Sequence, residues 1–200
     1  MLKIGITGGI GTGKTTVCKI FELLGIPVFY ADAAGKQLMI DNAVVKQKIK
    51  ALFGEEAYFS DETVNRRHIA DIAFKDQNKL SLLNNIIHPA VKEAFEIWCT
   101  NQKNIYILKE AALMFESNSY QDNDFNILIS SPLETRINRV MKRDNTAREN
   151  VMARIAKQMP EEKKEKLSDF IITNDEKTFL IEQVLVLDKK FSTHILKIQK

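Results

Sequence analysis

Leu2-Lys3-Ile4-Gly5-Ile6-Thr7-Gly8-Gly9-Ile10-Gly11-Thr12-Gly13-Lys14-Thr15-Thr16 is the stretch that decides the fold. Leu2 to Thr7 is a short apolar run of the kind a buried strand makes. Gly8 to Thr15 matches G-x-x-x-x-G-K-[ST] at every fixed position. Val17, Ile20, Phe21 and Leu24 then recur at i, i+3, i+4 and i+7, an amphipathic helix that Gly25 should stop. Strand, glycine loop and helix in that order make a phosphate-binding loop. Glycines let successive N–H groups turn inward around phosphate oxygens, and the helix presents its positive end to the same anion. Gly9, Ile10, Gly11, Thr12 and Gly13 are expected to cradle the phosphates, with Lys14 reaching the β- and γ-phosphates of ATP. The Thr15 hydroxyl is the expected Mg²⁺ ligand, and Thr16 a helix residue near the phosphates. A dinucleotide-binding G-x-G-x-x-G fails, because Lys14 stands where the last glycine would follow Gly9 and Gly11.

Around this motif the chain is an ordinary globular sequence of 200 residues, 44% hydrophobic and 28% charged. Its 29 basic and 26 acidic residues leave a net charge of +3, too small a bias to argue for a nucleic-acid partner. Cys18 and Cys99 lie far apart without metal-ligand spacing and read as buried free thiols. No apolar run approaches the ~18 residues a membrane span needs, and Met1-Leu2-Lys3 leads into a strand without a signal peptide's apolar core. The cytoplasm is the expected location.

Five apolar runs read as buried strands: Leu2 to Thr7, Pro27 to Ala31, Ile105 to Leu108, Phe125 to Ile129 and Phe170 to Thr173. Helical patterns separate them, which predicts an α/β fold with a five-stranded parallel sheet flanked by helices. The runs finish at Gly8, Asp32, Glu110, Ser130 and Asn174, and in such sheets ligands bind beyond the carboxyl ends of the strands. The 72 residues from Ala33 to Asn104 are too many for a simple crossover. Val44 to Phe53 and Ile69 to Ile87 look helical there, so an inserted helical lobe is expected. The division that follows is a nucleotide-binding core of residues 1–32, 105–133 and 159–200, an inserted lobe of 33–104 and a lid of 134–158.

Asp32 at the end of the second strand can accept a hydrogen bond from an acceptor hydroxyl and take its proton; it can equally cap the next helix. Ser131-Pro132-Leu133-Glu134 reads as a capping box with Pro at the first helical position. On that helix Leu133, Ile137, Val140 and Met141 form an apolar stripe, and Arg136, Arg139 and Arg143 a basic one about a third of a turn away. The arginines suit closure over ATP phosphates, Arg139 and Arg143 above all, or a solvated face. A second helix from Thr146-Ala147-Arg148-Glu149 completes a hairpin suited to a mobile lid. Arg66 and Arg67 fit either an anionic acceptor or surface charge, and His88-Pro89 reads as a helix boundary. Glu161 to Lys166 reads as a solvated helix face, and Glu176 to Lys200 as a packing helix with a basic tail. On residues alone the expectation is a P-loop kinase acting on a small-molecule hydroxyl.

These motifs, in their order, resemble the dephospho-CoA kinase family from Ile4 to about Asn174. Gly5 to Thr15 looks like that family's opening, and Ala31-Asp32 like its base-bearing strand end. Asn65-Arg66 with Ile69-Ala70 and Phe74, Leu83 with His88-Pro89, and Leu113-Met114-Phe115-Glu116 resemble its following blocks. Arg139 to Asp144, Arg154 to Gln158, and Ser168-Asp169 with Asn174 complete the series. The chain has Glu110-Ala111-Ala112 where the family usually shows Asp-x-Pro; Glu keeps the charge but carries it one methylene further out.

The resemblance implies a P-loop NTPase fold and transfer of phosphate from ATP to the ribose 3′-hydroxyl of dephospho-CoA, giving coenzyme A and ADP. Asp32 would orient and deprotonate that hydroxyl. Lys14, Mg²⁺ at Thr15, Arg139 and Arg143 would hold the transferring phosphoryl group. Arg66, His88 and Glu110 would help hold the acceptor, and Asn174 would lie near the adenine. A nucleoside monophosphate or shikimate kinase is the nearest rival, and a nucleotide-binding switch a more distant one. A GTPase's Asn-Lys-x-Asp is absent from the sequence.

Overall fold

The computed structural model describes residues 1–73 and 75–198, with side chains through 193. Phe74 of the insert motif, Gln199 and Lys200 lie outside the described residues. Strand β1 (Leu2–Gly8) leads through the glycine loop into α1 (Lys14–Leu23), and β2 (Val28–Tyr30) follows. Four helices come next: α2 (Ala31–Asp41), α3 (Ala43–Phe53), α4 (Arg66–Ala73) and α5 (Gln77–Thr100). Then come β3 (Tyr106–Glu110), β4 (Phe125–Ser130), α6 (Leu133–Asp144), α7 (Arg148–Ile155), α8 (Glu161–Leu167), β5 (Phe170–Thr173) and α9 (Leu180–Ile198).

All five strands pair in parallel in the order β2-β3-β1-β4-β5. Strand β1 is central because it pairs with β3 on one side and β4 on the other, so both neighbours carry side chains to the rim where the glycine loop leaves Gly8. Its period-2 set Leu2, Ile4 and Ile6 faces one core with Tyr106, Leu108, Ile127 and Ile129. Val17, Cys18 and Phe21 of α1 and Val184, Leu187 and Phe191 of α9 cover that face. Leu24, expected on the buried stripe, is instead 39% exposed and caps α1, since Gly25 at φ 80° turns the chain away first.

The chain forms two compact units, one of residues 1–30 with 102–200 and one of 31–101. In the second, Val45, Ile49 and Phe53 of α3 pack with Ala57, Tyr58, Ile69 and Ala73. The Asn42 side chain caps α3 by accepting from the Val45 amide at 3.0 Å. The Phe53 carbonyl at the other end lies 2.9 Å from Nε2 of His68, which must therefore be the donor.

Four local expectations give way. Ile69 to Ile87 is not one helix: Asp76 accepts from the amides of Asn78 and Lys79 and starts α5 afresh. His88-Pro89 is no boundary, because α5 runs through it. Ile87 and Val91, one turn apart on either side of Pro89, both lie 3.4 Å from where a Cβ on Gly35 would sit, so packing on α2 holds the helix across the lost amide. Asp32 lies in the first turn of α2, not at a strand end, since β2 stops at Tyr30. The capping box at Ser131 does not form: Pro132 occupies the cap with its carbonyl accepting from Arg136 N, and no side chain caps α6.

No helix of the described residues is long and apolar enough to cross a membrane. Both cysteines are buried, and burial pushes the Cys18 thiol up to about 12, with the charge of Glu110 adding to it. In the folded protein at pH 8, Cys18 should therefore stay unreactive toward a disulfide reagent and react only as urea unfolds the chain; rapid native labelling at Cys18 would contradict this burial. Phe191 is 1% exposed, its ring centroid 5.4 Å from those of Tyr106, which is tilted to it, and Phe170, which meets it edge-on. Phe191→Ala should cost about 3–5 kcal/mol in urea unfolding, whereas Phe179→Ala, 73% exposed, should stay within about 0.5 kcal/mol.

Candidate active site

The glycine loop needs its glycines for two separate reasons. Gly11 and Gly13 have φ of 80° and 90°, a left-handed region that other residues enter at a cost. A Cβ on Gly11 would also approach the Arg136 carbonyl to 2.6 Å, and one on Gly9 would run into the Arg136 guanidinium. Thr12 is buried and closes the loop on itself, its amide and hydroxyl both donating to the Gly9 carbonyl at 3.3 and 2.9 Å. Lys14 folds back, Nζ donating to the carbonyls of Gly8 at 2.8 Å and Gly9 at 3.4 Å. Thr15 and Thr16 are exposed in the first turn of α1, where the Thr16 amide donates to the carbonyl of Gly13 at the cap at 3.0 Å.

Ile10 is held on three sides. Its amide donates to Gln158 Oε1 at 3.0 Å and its carbonyl accepts from Arg136 Nε at 3.1 Å. Its side chain packs against Ile137 and Val140 of α6 and Val151 of α7.

Two of the expected residues meet on the loop. The Asn174 side-chain amide donates to the Thr12 carbonyl at 2.8 Å, and its backbone amide to the Ser130 carbonyl at 2.8 Å. Arg139 Nη1 lies 3.4 Å from the Gly11 carbonyl and 3.3 Å from Ser131 Oγ, and Nη2 reaches Asn174 Oδ1 at 3.2 Å. It also pairs with Glu176 at 3.1 Å across an exposed contact.

Arg136 and Arg143 differ from it. Arg136 is 6% exposed and committed to Ile10 and Glu161, so it braces the loop from behind. Arg143 makes a bidentate pair with Asp144 at 2.7 and 3.0 Å, and Arg154 Nη1 reaches Asp144 from α7 at 2.7 Å. These hydrogen bonds, Arg143 first, hold the Asp144 carboxyl well below the usual carboxylate range.

Glu110 is 8% exposed at the end of β3, in register with Ile6 of β1 and Tyr30 of β2. Its charge raises both the Cys18 thiol and the Tyr30 phenol, whose upward shift is mainly burial. Among the described residues, no group of three His, Cys, Asp or Glu is placed to hold a metal. Asp32, Arg66 and His88 belong to the second unit. Asp32 is exposed near the start of α2, Arg66 is exposed at the start of α4, and His88 lies within α5.

The sequence pattern does not single out Gln158, Ser131 or the buried charges of α8 as site residues. The α8 stretch is not a solvated face: Lys164 is 1% exposed with Nζ 3.1 Å from Glu116, and Glu161 pairs with Arg136. Glu116 also accepts from the Met159 amide at 2.9 Å. Opposite charges at 161 and 164, one helical turn apart, were the available signal; a Lys-rich composition hid it.

A sequence model of the family described as Dephospho-CoA kinase matches residues 2–179. A Dephospho-CoA kinase of Bacteroides fragilis is 37% identical over 187 residues, 93% of this chain and 91% of that one. A crystal structure from Thermus thermophilus superposes with a TM-score of 0.84 at 32% identity, covering 94% of this chain and 97% of that one. A Dephospho-CoA kinase from Campylobacter jejuni gives 0.69 at 26% identity, covering 96% and 98%. With the glycine loop, the parallel sheet and this full-length similarity, the fold is that of P-loop NTPases, and the chain belongs to the dephospho-CoA kinase family.

Proposed function

We propose that this chain transfers the γ-phosphoryl group of ATP to the ribose 3′-hydroxyl of dephospho-CoA, giving coenzyme A and ADP in the cytoplasm, the last step of coenzyme A synthesis. The observation that carries the reading is the glycine loop with Lys14 on its carbonyls and Arg139 and Asn174 fastened to its far side, in a chain of this family. When ATP enters, its phosphates offer Lys14 and Arg139 stronger, charged acceptors than the backbone carbonyls they now hold. The partial positive end of α1 adds to that field.

The exposed Thr15 hydroxyl is a hard oxygen donor of the type Mg²⁺ accepts, and Glu110 brings a carboxylate to the end of β3. Bound with ATP, Mg²⁺ neutralises charge on the phosphate oxygens. Such an ion keeps waters and phosphate oxygens as most of its ligands, so it needs no cage of carboxylates. Asp32 is the proposed base: it accepts the 3′-hydroxyl proton as that oxygen bonds to the γ-phosphorus and the bridging oxygen leaves with ADP. Arg66, His88 and the rest of the 31–101 unit are proposed to hold the acceptor, residues 134–158 to act as the lid, and Asn174 to lie near the adenine.

ADP release measured with dephospho-CoA, AMP and shikimate as separate acceptors tests the substrate. Turnover is expected with dephospho-CoA; turnover with AMP or shikimate alone would exclude this acceptor. Lys14→Ala should lower kcat/KM by at least about 10³-fold, as loss of a charge on the transferring group does. Asp32→Asn should lower kcat by about 10²–10⁴-fold with the ATP dissociation constant nearly unchanged. Near-normal turnover in Asp32→Asn would remove this residue from proton transfer.

A further inference from the structure

We propose that Gln158 is a positioning residue for the nucleotide, acting through the peptide groups on either side of Ile10. In a trans peptide the carbonyl and the N–H point in opposite directions. By accepting the Ile10 N–H at 3.0 Å, Gln158 turns the carbonyl of the same peptide, that of Gly9, the other way. There it receives Thr12 N, Thr12 Oγ1 and Lys14 Nζ. Arg136 does the complementary work on the next peptide: it draws the Ile10 carbonyl outward at 3.1 Å, which directs the Gly11 N–H to the opposite side. The direction of the loop's donors is therefore set from outside the motif.

Two consequences follow for Ile10. Its N–H is committed to Gln158 and does not serve as a phosphate donor, although the residue lies within the motif. Its side chain, packed on Ile137, Val140 and Val151, joins the loop tip to the α6–α7 hairpin. Gln158 stands three residues beyond the end of α7, and the same segment is tied down twice more, by Met159 N on Glu116 and by Glu161 on Arg136. A shift of the hairpin thus reaches the phosphate donors through the Gln158 side chain and Ile10.

This inference rests on the reading that the loop binds ATP, and nucleotide binding tests it without any acceptor. Gln158→Met keeps the side chain's length and apolar stem but removes the acceptor. It should speed hydrogen exchange at the Ile10 amide and raise the ADP dissociation constant and the ATP KM about three- to tenfold. The dephospho-CoA KM should stay within about twofold, with Tm unchanged, and adenosine, which lacks phosphates, should bind as before. Gln158→Glu keeps an oxygen acceptor at the same reach and should restore protection of the Ile10 amide. Parent-like ADP binding in Gln158→Met would overturn the proposal. So would equal losses in both KM values with a lowered Tm, which mark a merely structural role. Failure of the unaltered protein to turn over dephospho-CoA would instead count against the acceptor, leaving the ADP and exchange measurements to decide on Gln158.

Discussion

The chain has five residues, Gly9 to Gly13, in which to leave the central strand, wrap a space for phosphate and enter α1. That constraint governs what surrounds it. Left-handed angles at Gly11 and Gly13 solve the turn, but they also strip side chains from the loop's outer surface. Neighbours then close in to distances that a Cβ would forbid: Arg136 behind Gly9 and Gly11, and Asn174 behind Gly13. The glycines are thus needed as much for what packs against the outside of the loop as for what the inside receives.

Beside the apolar contacts of Ile10, the loop's surroundings also carry a layer of buried charge. Arg136 pairs with Glu161, and Lys164 with Glu116. Pairs of this kind return little net stability after desolvation, whereas removing one partner strands the other. Their geometric effect is more direct. Each fixes a backbone group that apolar packing could not hold in direction: Arg136 the Ile10 carbonyl, Glu116 the Met159 amide. The short helix α8, only seven residues long, has little stability of its own and is placed by these contacts.

The sheet, the glycine loop and the helix after it were legible because each depends on local pattern: continuous apolar runs, a fixed motif and a 3.6-residue repeat. Errors arose where a long-range partner outweighs a local preference. Pro89 stays inside α5 because α2 supports that helix, a fact that no window around His88-Pro89 contains. Ser131 has the sequence of a helix cap, yet it is buried and its hydroxyl lies with Arg139, while the carbonyl of Pro132 starts the helix. Lys164 sits in a charge run that reads as solvent-facing, and only its pairing with Glu116, 48 positions earlier, reverses that reading. Gln158 lay within a motif block but carried no chemistry recognisable from residue type, since its role depends on one amide 148 positions away.

The three arginines of α6 show how far periodicity goes and where it stops. At about 100° per residue, positions 136, 139 and 143 fall within roughly 60° of one another, so the pattern correctly places them on one side. The same geometry separates the first and last by about 10 Å along the axis. Arg136 therefore comes level with the loop's back and is locked there. Arg139, one turn on, meets Gly11, Ser131 and Asn174, and its ionic partner among the described residues, Glu176, is 65% exposed, so that the pair is held only weakly. Arg143 makes its bidentate pair with Asp144, whose other arginine partner, Arg154, comes from α7, so recruiting it to an anion means breaking two short charged hydrogen bonds. Of the three, Arg139 is the one whose acidic partner is most exposed, which supports the proposal that it takes up charge as the phosphoryl group transfers.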